Sequence, residues 1–356
     1  MVRNILLWLC FRSVAVDAVS NCRSNETHIA WSKSNPITKQ SMRKVTSSSS
    51  TPNTVECWYQ TRANAVHDAH DYLRHNMMPF DISNMETLGF PKNGTQPADE
   101  ADGLGNGLIG PTIELALDAK IKHHWADRIV PKEIYFEYVL NYANVNEGRT
   151  NWRPLLTDAI ESMLNDHANV DSRVNDVVRI INARLWNALG RRSNESIVFQ
   201  SGQTPLIFDP MSTIAFGYCS CTGTAILFTN ALRAAGIPAR VVGTPAWKGE
   251  RSNGNHNWVE VYRNGKWDFM EPSTPTDPST KVVVNPDDLD RNPCDRWFCH
   301  ANQRYGDTRV YAARLDRSQR EDDDGTHYVM AWEWDSKDVP GEDRTDYYIE
   351  KCNSCE

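Results

Sequence analysis

The sequence predicts an α+β fold, with a mainly helical first half and a sheet-forming second half. Three observations carry this. Up to residue 189, apolar residues recur at helical spacing. Beyond residue 237, alternating or continuous apolar runs rich in Val, Ile, Trp, Tyr and Phe take over. A single helical pattern at about 221–235 divides the two regimes. Helices followed by a block of strands indicate strands that pair with one another in an antiparallel sheet.

The elements follow in chain order. In residues 1–20, Arg3 precedes an apolar run over 5–11, and Ala18 and Ser20 are small residues before a cleavage point after Ser20. This is the pattern of a secretory signal peptide, and it places the protein outside the cytoplasm. Residues 21–55 are polar, end in the Ser run 47–50, and read as a disordered leader or linker. From Cys57 the pattern is helical, with Ala63, Ala65, Val66, Ala69 and Leu73 on one face. Residues 80–111 are rich in Gly, Pro, Asn and Asp and read as a long loop. Helices are expected over 113–125, from Pro131 through Leu140, over 153–168 and over 172–189. Gly190 ends the last of these. Residues 56–192 thus form a helical N-terminal region, and 193–356 a catalytic core with C-terminal strands. Within the core, 196–215 reads as connection. Strands are expected at 237–243, 256–263, 266–271, 308–315 and 327–335.

Composition narrows the function classes. The chain of 356 residues is 40% hydrophobic and 24% charged, as folded globular proteins are. Its net charge of −8 and its lack of a basic stripe exclude nucleic acid as the main partner. No later stretch approaches the ~20 apolar residues a spanning helix needs. No cofactor or metal is expected. The acidic stretch Glu321 to Gly325 lacks the alternating ligand spacing of a calcium loop and reads as a solvated turn. Cys294 with Cys299, and Cys352 with Cys355, are candidates for local disulfides. Asn25, Asn93 and Asn194 stand in glycosylation sequons, a match chance would also produce.

The chemistry concentrates in 216–275. Cys221 opens a helix that Gly236 ends. A thiol there meets the positive end of the helix dipole and free N–H groups, which favour the thiolate and can cradle an oxyanion. His256 begins a strand of period two, and Asn264-Gly265 marks a two-residue hairpin turn. The hairpin returns Glu271 to the end of the sheet where His256 lies. A carboxylate beside an imidazole is what orients the base of a thiol nucleophile. Gln203 is a candidate second oxyanion donor, and Trp258 a core residue or pocket wall.

These residues resemble the transglutaminase-like superfamily. The resemblance rests on Cys221 leading into its helix, on Leu232-Arg233 followed by Gly236-Ile237-Pro238-Ala239-Arg240, on His256-Asn257-Trp258-Val259-Glu260-Val261, and on Trp267 followed by Glu271-Pro272. The spacing from Cys221 to Gly236 matches the family interval, and that from His256 to Glu271 matches within one residue. The resemblance implies a papain-like core, with a nucleophile at a helix N-terminus packed on an antiparallel sheet. It implies a Cys221–His256–Glu271 triad acting through a thioester on peptide or carboxamide bonds of a peptide or protein substrate. Hydrolysis is the expected outcome, because the β-sandwich domains that flank the animal calcium-dependent crosslinkers have no counterpart in the pattern. Protein-glutamine transglutamination and a non-catalytic peptide-binding module are the alternatives. Two positions depart from the family. Cys219 stands where Gly is frequent and is a rival nucleophile, also in a thiol-disulfide role with Cys221. Glu271 stands where Asp is usual, with Asp268 as the rival carboxylate; strand alternation turns the two to opposite faces.

Overall fold

The computed structural model describes residues 19–24, 27–30, 62–90, 107–123, 130–165, 174–191, 195–246, 250–275, 291–295, 309–315 and 341–355, with Leu289, Cys299 and Val339. Two short strands, β1 (Val19–Ser24) and β2 (Thr27–Ala30), pair antiparallel largely within the stretch expected to be a disordered leader. The helical region then comprises α1 (Arg62–His75), α2 (Met85–Leu88), α3 (Ile109–Lys122), α4 (Lys132–Tyr135), α5 (Trp152–Asn165) and α6 (Val174–Ala188). Residues 80–111 are less of a loop than their composition predicts. Pro79–Asn84 forms a 3-10 turn, α2 follows directly, and α3 starts at Ile109. Phe80 and Met85 pack on the core there, so tertiary burial overrides weak local propensity.

The helix opened by Pro131 loosens after one turn into a π-helical turn, Phe136–Leu140, that is wholly buried. Its Val139 carbonyl, and backbone carbonyls beyond the turn, find buried guanidinium donors. Arg153 donates to Val139 O at 2.6 Å and Asn141 O at 3.2 Å. Arg233 donates to Ala143 O at 2.8 Å and to Ala239 O at 3.1 Å. The bond from Arg233 to Ala143 ties the helical region to the helix that carries Cys221.

The second half holds β3 (Val198–Phe199), α7 (Pro210–Phe216), β4 (Tyr218–Cys219), α8 (Cys221–Ala234) and β5 (Ala239–Thr244). It continues with β6 (His256–Arg263), β7 (Lys266–Met270), β8 (Tyr311–Ala313), β9 (Gly341–Asp343) and α9 (Thr345–Asn353). The expected connection 196–215 therefore contains a strand and a helix. Strand β3 pairs parallel with β4, and Asp209 caps α7 through the Ser212 N–H at 3.0 Å. Strands β5 to β9 form one antiparallel sheet of order β7-β6-β5-β8-β9. Asn264 (φ 52°) and Gly265 (φ 79°) make the tight turn between β6 and β7.

The sheet buries both faces. Ala239, Val241, Val259, Val261 and Met270 join α8 and the helical region in the main core. Val242, Trp258, Phe269 and Ala312 face Tyr348 and Cys352 of α9 in a second, smaller core. Alternation along each strand assigns residues to one core or the other. The cysteines pair across the fold: Cys294 with Cys355 and Cys299 with Cys352. This corrects the local pairing expected from spacing. Helix α9 lies against Pro293–Asp295, so each bridge fastens the C-terminal helix to a distant loop. The expected strand 327–335, the acidic stretch 321–325, the sequons at Asn25, Asn93 and Asn194, and residues 1–18 lie outside the described residues. Among the described residues no helix is long and apolar enough to cross a membrane.

Candidate active site

Cys221 is the first residue of α8. Ser220 before it has the extended backbone of an N-cap residue, and Ser normally caps with its hydroxyl. Here it does not: its hydroxyl bonds the Thr204 hydroxyl instead. The first-turn N–H groups of α8 are therefore not consumed by a side-chain cap. The helix behind them is anchored in the main core by Leu227, Phe228, Ala231 and Leu232, all with no exposed surface, so its start is held rigidly.

His256 begins β6, opposite Thr244 at the end of β5. Val259 pairs with Met270, so continuing the register by one residue places Trp258 opposite Glu271. Glu271 thereby shares a face with Trp258 and His256 and lies diagonal to the latter, within side-chain reach. The His256 Nε2–H donates to Glu271 Oε1 at 2.7 Å, with both side chains mostly buried. Nδ1 is then the ring nitrogen left for the Cys221 thiol, which is hydrogen-bonded to His256. Asp268 turns to the other face, where it accepts from Arg263 Nε at 2.5 Å and lies 3.5 Å from Lys266 Nζ.

Burial alone would raise the Cys221 thiol, but its partners outweigh that. The hydrogen bond and charge of His256, the Asn257 backbone N–H and the Thr222 hydroxyl together hold it below the ordinary 9.0. Burial likewise works against a charged imidazole. Hydrogen bonds and charge from Cys221 and Glu271 reverse it and raise His256 from 6.5 to about 9. The two shifts agree in direction: each favours the thiolate–imidazolium form of the pair. Cys219 is the opposite case. Buried against Thr213 and Thr224, it is pushed up to about 12, chiefly by burial, and stays a neutral thiol.

Other positions at the site carried no signal strong enough to be picked out from sequence. Asn257 is locked in three directions. Its Oδ1 accepts from Thr222 Oγ1 at 2.8 Å and from Asn255 Nδ2 at 3.4 Å, and its Nδ2 donates to Val242 O at 3.3 Å. The amide thus ties β6 to the first turn of α8, which sets His256 against Cys221. Gly243 makes room for it, since a Cβ there would sit 2.3 Å from Asn257 Nδ2. Gly223 lets α8 close on Cys219, whose Cβ would be 2.5 Å from an added methyl. Gln203 lies in the half-buried loop next to Thr204, the partner of Ser220. Its backbone carbonyl accepts from Leu206 and Ile207, both at 2.9 Å. Trp258 has no exposed surface and belongs to the second core rather than to a pocket wall. Its ring lies 5.9 Å from that of His256. Among the described residues no cluster of three or more His, Cys, Asp or Glu could hold a metal ion.

A family model described as the Transglutaminase-like superfamily matches residues 168–272, which contain all three members of the Cys221–His256–Glu271 constellation. Among solved structures, one from Cytophaga hutchinsonii, titled a "Putative Cysteine Protease", aligns with 20% identity and a TM-score of 0.27. The alignment covers 41% of this chain and 43% of that one, less than half the length of either. No curated protein matches the chain.

Proposed function

We propose that the transglutaminase-like region is a thiol-dependent acyl-transfer enzyme, with Cys221 as nucleophile, His256 as base and Glu271 as the orienting carboxylate. One observation carries this reading. A thiol with a depressed pKa, at a helix start left open by Ser220, is bonded to an imidazole that a carboxylate holds from behind at 2.7 Å. The thiolate attacks the carbonyl carbon of a peptide or carboxamide. The oxyanion that forms accepts hydrogen bonds from first-turn N–H groups of α8. The imidazolium gives its proton to the departing amine or ammonia as the C–N bond breaks, leaving a thioester on Cys221. His256, now neutral, takes a proton from water, which attacks the thioester and releases the acid.

We take water as the acceptor. A Lys amine acceptor would bring a long alkyl stem that calls for an apolar channel. Among the described residues, two polar pairs stand beside Cys221 in the chain: Ser220 with Thr204 and Thr222 with Asn257. Crosslinking by a Lys amine is the second reading. The two cross-fold disulfides suit an oxidising compartment, in keeping with an exported protein.

Incubation with glutamine-containing peptides, with and without a primary amine, tests both readings. Ammonia or peptide fragments released at the same rate in either case support hydrolysis; incorporated amine would shift the reading to transfer. Cys221→Ala must abolish whichever is seen. Activity surviving in that variant would overturn the nucleophile.

A further inference from the structure

We propose that α9 braces the base, and that Tyr348 is a positioning residue acting on His256 through Trp258. This rests on His256 serving as the base of Cys221. The path is continuous. The Trp258 ring lies 5.9 Å from the His256 ring, tilted by 32°. Trp258 Nε1–H donates to Tyr348 Oη at 2.8 Å, and the two rings meet edge to face at 5.5 Å. The Tyr348 hydroxyl donates onward to Glu260 Oε1 at 3.0 Å.

Glu260 is a fixed end point. It has no exposed surface, and its other oxygen takes two bonds from Arg240, Nε at 2.9 Å and Nη2 at 2.7 Å. Arg344, which precedes α9, donates from Nε to the Oε1 that Tyr348 uses, at 3.1 Å. The Tyr348 hydroxyl is thereby set between the indole N–H that faces it and the carboxylate it donates to. A buried indole N–H without that acceptor would seek another and turn the ring beside His256.

Helix α9 is held to this task by both disulfides, Cys294–Cys355 and Cys299–Cys352, at its C-terminal end. At its other end, the Thr345 hydroxyl accepts from the Val310 N–H at 3.0 Å beside β8. The Cys352-Asn353-Ser354-Cys355 motif, which has no role in the chemistry, thus acquires one in keeping the brace docked. Among the described residues, the titratable and charged groups facing the path are Cys221 from α8, Glu271 just after β7, Glu260 from β6, Arg240 from β5, Glu342 from β9, and Arg344 with Tyr347 from the α9 segment.

Alkylation of Cys221 by iodoacetamide, followed against pH on the full chain with its disulfides intact, tests the proposal without a known substrate. In the wild type the thiolate should form below the ordinary thiol range. In Tyr348→Phe, which keeps the ring, the midpoint should rise by about one unit, a tenfold loss of thiolate. Trp258→Phe should give the same rise, and the double variant no more than the larger single effect, because both cut one path. Alkylation profiles of both single variants that superimpose on the wild type overturn the brace, as does strict additivity in the double variant. A wild-type midpoint at the ordinary thiol value overturns the triad reading itself, and with it the premise of the brace.

Discussion

Replacing Glu271 with Gln keeps the side-chain shape but removes the charge that His256 leans on. His256 is raised from 6.5 to about 9, a preference for the imidazolium of about 3 kcal/mol. Cys221 and Glu271 share that stabilisation against the cost of burial. If Glu271 supplies half, its loss costs about 1.5 kcal/mol and shifts the ion pair about tenfold toward thiol and neutral imidazole. The sign in pH follows. The ion pair exists above the pH at which Cys221 loses its proton, and vanishes as pH rises through about 9, where His256 loses its own. Glu271→Gln should narrow this window from both sides, moving the thiol limb up and the imidazole limb down. Glu271→Asp should resemble it, although Asp is the more usual residue in the family. Shortening the arm by about 1.5 Å stretches a 2.7 Å contact beyond hydrogen-bond reach. The assay is the pH dependence of peptide hydrolysis beside that of Cys221 alkylation. A Glu271→Gln enzyme with wild-type limbs in both profiles would refute the argument that this carboxylate holds the base.

Two further outcomes follow from packing around Cys221. Cys219→Ala should leave the rate and pH profile of Cys221 alkylation unchanged, because Cys219 is buried and held neutral near 12; a lost fast-reacting thiol in mass mapping would instead make Cys219 the nucleophile. Gly223→Ala should lower the thermal midpoint, at a cost of about 1–3 kcal/mol for overpacking, since the new methyl meets Cys219 Cβ at 2.5 Å and Thr213 Oγ1 at 3.3 Å. An unchanged melting curve would mean that α8 is not pressed against β4 as described.

How far the sequence alone reaches depends on how local each feature is. Cys221 at a helix start, the Asn264-Gly265 turn and the return of Glu271 beside His256 all follow from short-range rules, and the structure has each of them. That Glu271 rather than Asp268 faces His256 was also legible, because period two puts residues three apart on opposite faces. Arg240 and Glu260 were visible as motif residues without a role. Only the antiparallel register of β5 and β6 sets them opposite each other and makes them a buried pair.

The rest was decided by contacts far apart in the chain. Strand β8 falls within the strand expected at 308–315, but β9 has three residues, too few for a period to show. The disulfide partners lie 61 and 53 residues apart, a distance over which spacing carries no pairing rule. The Ser220 hydroxyl was free to cap its helix until the loop at Thr204 came to meet it. The sequence by itself therefore determined which residues could do the chemistry, since that is written in helix starts, hairpins and alternation. The tertiary structure decided what holds them in place, because the lock at Asn257 and the helix behind Trp258 exist only once distant segments have packed.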